Sequence, residues 1–372
     1  MHVIASFLIK RGGGDLGGQP KSLTVISAAK QKSRMSSCLS FMIALVCVGS
    51  LLTIVTWYMI DHDRNLRPVR HREAIDNVRQ RYSQTWKKNE ENYRAFTSKL
   101  SRSCRGFDKA IITQGNTPVG TKIQYDGEMD RTLLVTPAIF KTFIKEHPFS
   151  NRMFDTCAVV GNGGILMDSH CGKMIDSAQF VIRCNLPPLN KKYETDVGVK
   201  TDLVTVNPSI LHNKYSSLMG QERDFVMSLQ RYGKSLIVLP AFSYGMNTAV
   251  SMRVVQTVNN FDSPARPIFL NPEYLRNLSQ FWASNSLKWK RFSTGLMMVS
   301  MALEVCANVH LYGFWPFSTH PHSLSTLTNH YYDDVPFKAG AHNMPMEFDL
   351  LLKLHSQGVL RLHLGDCQSD KK

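Results

Sequence analysis

Residues 157–166 read Cys-Ala-Val-Val-Gly-Asn-Gly-Gly-Ile-Leu. A short apolar, β-branched run gives way to glycines, as a buried strand does when it hands the chain to a loop. Glycines at such a point let backbone approach a ligand and permit positive φ. A dinucleotide site would show G-x-G-x-x-G opening a helix, and Gly161-Asn162-Gly163-Gly164-Ile165-Leu166 does not match it. Taken alone, the segment reads as an ordinary tight turn.

Its neighbours give it meaning. Six more runs of the same texture follow: Phe180–Ile182, Leu203–Val206, Leu236–Leu239, Ile268–Leu270, Val309–Tyr312 and Leu360–Leu364. Helix-sized segments with Gly, Pro and Asn breaks separate them. Apolar strands alternating with helices predict an α/β fold, a mostly parallel sheet with helices on both faces. Ligands of such sheets bind beyond the carboxyl ends of the strands. The first three strands deliver asparagines there: Asn162, Asn185 after Arg183-Cys184, and Asn207 before Pro208-Ser209. Amides both donate and accept, which suits a base, a ribose or a phosphate.

Ser293-Thr294-Gly295 precedes a helical pattern over 296–306, and a hydroxyl with a glycine at a helix start is either an anion site or a simple N-cap. Tyr312-Gly313-Phe314-Trp315-Pro316-Phe317 then clusters aromatic rings after a strand, to stack on a base or sugar or to fill the core. His330-Tyr331-Tyr332-Asp333 and the segment from His342 to Glu347 sit in loop-like sequence, where an imidazole works as acid or base near neutral pH. The two histidines lack i, i+4 spacing and a third ligand, and the D-x-D at Asp61–Asp63 abuts an apolar span, so no metal site is expected.

That span, Cys38–Ile60, is uncharged, long enough to cross a bilayer, and carries Trp57 and Tyr58 at one end. It is too long, and lacks the small-residue pattern, for a cleaved signal peptide. Flanking charges favour an N-terminus on the cytosolic side, and translation starts at Met1 or at Met35. The chain thus divides into a cytosolic tail (1–37), a signal anchor (38–60), a polar, basic stem (61–108) and a luminal catalytic domain (109–372). In the stem, Ile75, Val78, Tyr82, Trp86, Tyr93, Phe96 and Leu100 recur at three- and four-residue steps, one apolar helix stripe to pack on the catalytic domain or on a partner subunit, a homodimer included. Asn277-Leu278-Ser279 is a glycosylation sequon consistent with a luminal side.

Composition bounds the partners. With 44 Lys and Arg against 29 Asp and Glu the 372-residue chain carries +15, which suggests an anionic partner, and 43% hydrophobic residues suffice for a core. No module signature supports nucleic-acid binding, and no cysteine pair has C-x-x-C spacing.

In this order the segments resemble the eukaryotic sialyltransferases, glycosyltransferase family 29. Residues 157–207 resemble the family's long motif and 293–317 its short one. His330–Asp333 resembles the third, and His342 with Glu347 the very short H-x-x-x-x-E motif. The phrases CAVVGNGGIL, RCNLPP, STGLMM, YGFWPF and HYYD are similar to the α2,8 branch. The resemblance implies a variant GT-A, Rossmann-like fold, CMP-sialic acid as donor, and inverting, metal-independent transfer to a sialylated glycoprotein or glycolipid, in the Golgi lumen. It implies that Asn162 and Asn185 contact the nucleotide and that Ser293, Thr294 and Gly295 hold CMP. Trp315, Pro316, Phe317 and Tyr331 would complete the donor site, and Asn207, Pro208 and Ser209 would face the acceptor. His330 would stabilise the departing phosphate and His342 would be the base. Disulfides Cys157–Cys306 and Cys171–Cys367 are implied too, with Cys184 a thiol and Cys104 left for an intermolecular bond or none. Residues 133–156 carry +1 (three Lys and Arg against two acidic residues), which departs from the basic stretch of polysialylating relatives and points to short products. Within the enzyme class the alternative is an α2,3 or α2,6 linkage; outside it, a catalytically silent glycan-binding protein.

Overall fold

The computed structural model describes residues 23–82, 86–150, 152–287, 291–335 and 342–367. The chain forms two compact units, Met1–Ala74 and Ile75–Lys372. Of the tail expected over 1–37, residues 1–22 lie outside the described residues. In the first unit the chain is helical from Leu23, within the helix Leu23–Tyr82, and Leu39–Ile60 is apolar, exposed and long enough to span a membrane. These features suggest a membrane anchor.

The second unit is built on β3 (Phe154–Val160), β4 (Phe180–Arg183), β5 (Leu203–Thr205), β6 (Leu236–Leu239), β7 (Arg266–Phe269), β8 (Cys306–Tyr312) and β9 (Arg361–His363). They form one sheet in the order β7-β6-β5-β4-β3-β8-β9, and every pairing is parallel. All seven expected strands are there. A short antiparallel hairpin, β1 (Lys122–Gln124) with β2 (Thr132–Leu134), stands apart and has no counterpart in the sequence reading.

Alternation along β3 shows why the sheet needs cover on both sides. Cys157 and Val159 enter one core cluster, with the helices Pro272–Ser284, Thr294–Val305 and Met344–Ser356. Ala158 and Val160 enter the other, with Phe225, Val250 and Val254. In a parallel sheet both faces are dry, so β4 and β6 are buried at every residue.

The compact unit begins at Ile75, inside the segment read as stem. Ile75, Val78, Tyr93 and Leu100 are buried in the sheet's own core, so the apolar stripe packs on the catalytic domain. It is carried by two helices, not one. The second, Glu90–Cys104, starts where the Asn89 side chain accepts the Asn92 N–H at 2.9 Å. Between them Trp86 donates Nε1–H to Leu360 O. Cys104 is buried at 1% exposure in this core, unsuited to an intermolecular bond. Cys157 is bonded to Cys306, and Cys171 to Cys367, while Cys184 is a free, buried thiol.

Candidate active site

Strand order reverses at β3, with β4 on one side and β8 on the other. Val160 is in register with both Arg183 and Tyr312, so the three strands release their loops at one level. The loops after β3 and β8 touch. A Cβ on Gly163 would lie 2.6 Å from Gly313 O, and Gly313 itself has φ +72°, so both positions require glycine. A cleft of about 320 Å³ opens there.

Three asparagines frame it. Asn162 donates Nδ2–H to Cys184 O at 2.8 Å, and its buried Oδ1 has no hydrogen-bond partner among the described residues. Asn185 adopts φ +67°, a conformation asparagine tolerates. Its N–H donates to Thr205 Oγ1, and its Oδ1 accepts the Asn207 N–H at 3.0 Å. Asn207 Oδ1 accepts from Thr294 Oγ1 at 3.1 Å. The chain of contacts thus runs from β3 across β4 and β5 to the Thr294–Val305 helix.

That helix is buried along its length, and its N-terminus opens on the cleft. Ser293 caps it by accepting the Leu296 N–H at 3.1 Å. Ser293 also donates its N–H to Glu347 Oε1 at 2.7 Å and its hydroxyl to Glu347 Oε2. Glu347 is 4% exposed; burial pushes its carboxyl up, while the Ser293 bonds and His342 pull the other way.

His330 pairs across an isolated bridge with Gly163, and the next N–H, that of Tyr331, donates to Asn162 O. His330 Nδ1 meets Asp333 Oδ2 at 2.6 Å, and its ring stacks on Tyr332 at 5.0 Å. A carboxylate in that position accepts from Nδ1–H and fixes the orientation of the ring. The Asn329 amide nitrogen Nδ2, a donor, stands 3.3 Å from Nε2. His342 Nδ1 lies 3.1 Å from the Arg291 carbonyl. A carbonyl only accepts, so Nδ1 carries a proton, and in the neutral ring the lone pair then lies on Nε2.

Of the expected donor residues, Asn162, Asn185, Ser293, Thr294, Gly295, Trp315, Pro316 and His330 line this cleft, as does His342. Two do not. Tyr331 is 1% exposed and donates its hydroxyl to Pro188 O at 3.0 Å. Phe317 packs on Trp315 and Phe348, behind the cleft wall. Along an extended loop successive side chains point to opposite sides, so a motif read as a block puts only part of itself in the site. Asn207, Pro208 and Ser209 line a second cleft of about 260 Å³ that shares Asn207, Thr294 and His342 with the first. His342 therefore stands at the junction of two hollows. Asn277, the sequon residue, is half-buried within the Pro272–Ser284 helix rather than on a loop. The sequence reading missed Phe314, Asn329 and Arg291 as lining residues and Asp333 as the partner of His330. The i, i+3 spacing of His330 and Asp333 was the available signal.

The profile of glycosyltransferase family 29 (sialyltransferase) matches residues 111–359. The chain is 44% identical over 302 residues to human alpha-2,8-sialyltransferase 8E, covering 81% of this chain and 80% of that one. It is 43% identical over 284 residues to mouse alpha-2,8-sialyltransferase 8F, covering 76% and 71%. It is also 41% identical over 300 residues to a Xenopus tropicalis alpha-N-acetylneuraminide alpha-2,8-sialyltransferase, covering 81% and 86%.

Proposed function

Because the chain belongs to glycosyltransferase family 29, the sialyltransferases, we propose that it transfers sialic acid from CMP-sialic acid to a terminal sialic acid of a glycoprotein or glycolipid, forming an α2,8 linkage. The observation that carries this reading is His342 at the junction of two clefts, its tautomer set by the Arg291 carbonyl. The linkage rests on the relatives, which are named for it across most of their length.

The residues divide the work. The donor lies in the cleft of Asn162, Asn185, Ser293, Thr294 and Gly295, whose amides, hydroxyls and helix N-terminus suit CMP. The acceptor lies in the cleft of Asn207, Pro208 and Ser209. Nε2 of His342 takes the proton from the acceptor hydroxyl as its oxygen attacks the anomeric carbon from the face opposite CMP, inverting the centre. Negative charge grows on the departing phosphate, and His330, its ring held by Asp333, stands in the cleft to meet it without a metal. No group of three or more His, Cys, Asp or Glu side chains suited to a metal exists among the described residues.

Two disulfides fit an oxidising compartment and an apolar anchor fits a type II Golgi membrane protein with a luminal catalytic domain. The low charge of residues 133–156 fits addition of one or a few sialic acids. The test is an acceptor screen with CMP-sialic acid and the purified protein. Transfer to sialylated glycans and not to their desialylated forms supports the reading; transfer only to galactose-terminated glycans rejects it.

A further inference from the structure

The acceptor cleft continues into a third hollow, of about 270 Å³, with which it shares Leu275, Arg291, Phe292 and Met297. Among the described residues, its charged lining side chains are Arg276, Arg291 and Asp126. Two guanidinium groups thus face one carboxyl, and burial pushes that carboxyl up from its ordinary range. Asp126 Oδ1 is buried and has no hydrogen-bond partner among the described residues. Arg276 donates Nη1–H to Gln124 O at 2.9 Å. Arg291 lies over the Tyr244 ring at 4.9 Å, and no carboxylate is within ion-pair distance of it among the described residues. Its main chain meanwhile orients the base, since Arg291 O takes the His342 Nδ1–H.

One residue therefore fixes the tautomer of the base and sets a planar, ring-supported cation beside it. An α2,8 acceptor differs from a galactose acceptor in carrying a carboxylate on the very sugar that supplies the hydroxyl. Arginine binds carboxylates through two parallel N–H groups, and its rigid fork is what lysine lacks. We propose that Arg291 reads the carboxylate of the acceptor's terminal sialic acid, with Arg276 adding positive charge behind it, and that this contact selects sialylated over neutral acceptor termini. The inference rests on the α2,8 reading and names the residue that enforces it.

The experiment compares two acceptors, an α2,3-sialyl lactoside and its methyl ester, with the wild type, Arg291→Gln, Arg291→Lys and Arg276→Gln. A site built around a charged contact rejects the analogue that lacks it, so the wild type should show kcat/KM on the ester lower by roughly ten- to a hundredfold. Arg291→Gln should lose the preference for the acid, its acid-to-ester ratio of kcat/KM falling by roughly ten- to a hundredfold to near one. Arg291→Lys should recover part of the loss, and Arg276→Gln should lose less with the same selectivity. Equal use of acid and ester by the wild type overturns the proposal without any variant having to fold. So does an Arg291→Gln defect equal on both acceptors. A wild type that transfers to neither sialyl acceptor but does transfer to lactose contradicts the α2,8 reading instead.

Discussion

Ser293 and Glu347 lie 54 positions apart and meet in the wall of the cleft proposed for the donor, where Glu347 accepts both the amide and the hydroxyl of Ser293. The contact ties the start of the Thr294–Val305 helix to the first turn of the Met344–Ser356 helix, which Asn343 caps by accepting the Met346 N–H. His342 is the residue before that cap. The two segments that carry the proposed donor site and the proposed base are therefore one mechanical unit.

Cutting this contact should be felt at both sites. Glu347→Ala leaves a buried amide and hydroxyl without their acceptor, a loss of about 1–3 kcal/mol in stability. Glu347→Gln keeps one acceptor oxygen and should lose less. Urea unfolding reads the stability, and calorimetric titration with CMP should show weaker binding in the order wild type, Gln, Ala. Unchanged CMP affinity in Glu347→Ala would mean that Ser293 does not need the carboxylate to shape the donor site.

Removing the base should spare binding. His342→Ala should slow transfer by roughly 10²–10⁴-fold and leave CMP affinity near the wild-type value. His330→Ala should slow it on the order of 10²-fold at saturating donor, and Asp333→Asn should act in the same direction by weakening the contact that holds the ring. Single-turnover kinetics separate chemistry from binding. Near-normal turnover in His342→Ala would remove it from the base role, and no rate loss in His330→Ala at saturating donor would remove the phosphate role.

Stability should fall on acidification. Burial lowers six histidines, with His310 and His355 brought to about 4, His363 well below its usual value, and His147, His320 and His322 lowered as well. In geometry, His355 Nδ1 accepts the Leu362 N–H, and His310 and His363 share one hydrogen bond at 3.0 Å. Such groups stabilise fully above the unfolded value of about 6.5 and lose that contribution as pH falls toward 4, because the unfolded chain takes protons the folded one refuses. Three buried carboxyls, Asp126, Glu347 and Glu304 (the last brought to about 7), act with the opposite sign. Six groups against three leave a net loss between pH 6.5 and 4.5. Urea midpoints should be lower at pH 5 than at pH 7; an equal or higher midpoint at pH 5 refutes the balance.

The sheet was legible because its inner strands are buried on both faces and read as unbroken apolar runs, as at Ala158-Val159-Val160 and Leu236–Leu239, while the edge strand over Leu360–Leu364 alternates Leu with Arg361 and His363. The turn between the stem helices was not, because Tyr82, Trp86 and Tyr93 keep one periodicity while the helix ends and restarts around them. Site residues were legible where a motif marked them. Tyr331 failed that test, since a motif does not say which side of a loop faces the ligand. Arg291 carried no signal: as the last cation of Lys288-Trp289-Lys290-Arg291 it looks like solvated surface until His342 is brought against its carbonyl. The hairpin β1–β2 has three residues per strand, too few for alternation to register.

Activity should survive chelation. The proposed partner of the leaving group is His330 with Asp333, at 2.6 Å, so excess EDTA should leave the rate within about twofold. Loss of activity with EDTA and recovery with Mn²⁺ would contradict the metal-free assignment.

The central claim is the bond formed. The purified protein is incubated with CMP-sialic acid and an α2,3-sialyl lactoside, and the product is treated with a sialidase that cleaves only α2,3 linkages, then analysed by mass spectrometry and NMR. The account predicts a disialyl product whose outer sialic acid is joined to the 8-position of the inner one and which resists the enzyme. Transfer to galactose in α2,3 or α2,6 linkage, or no transfer to a sialylated acceptor, would contradict it.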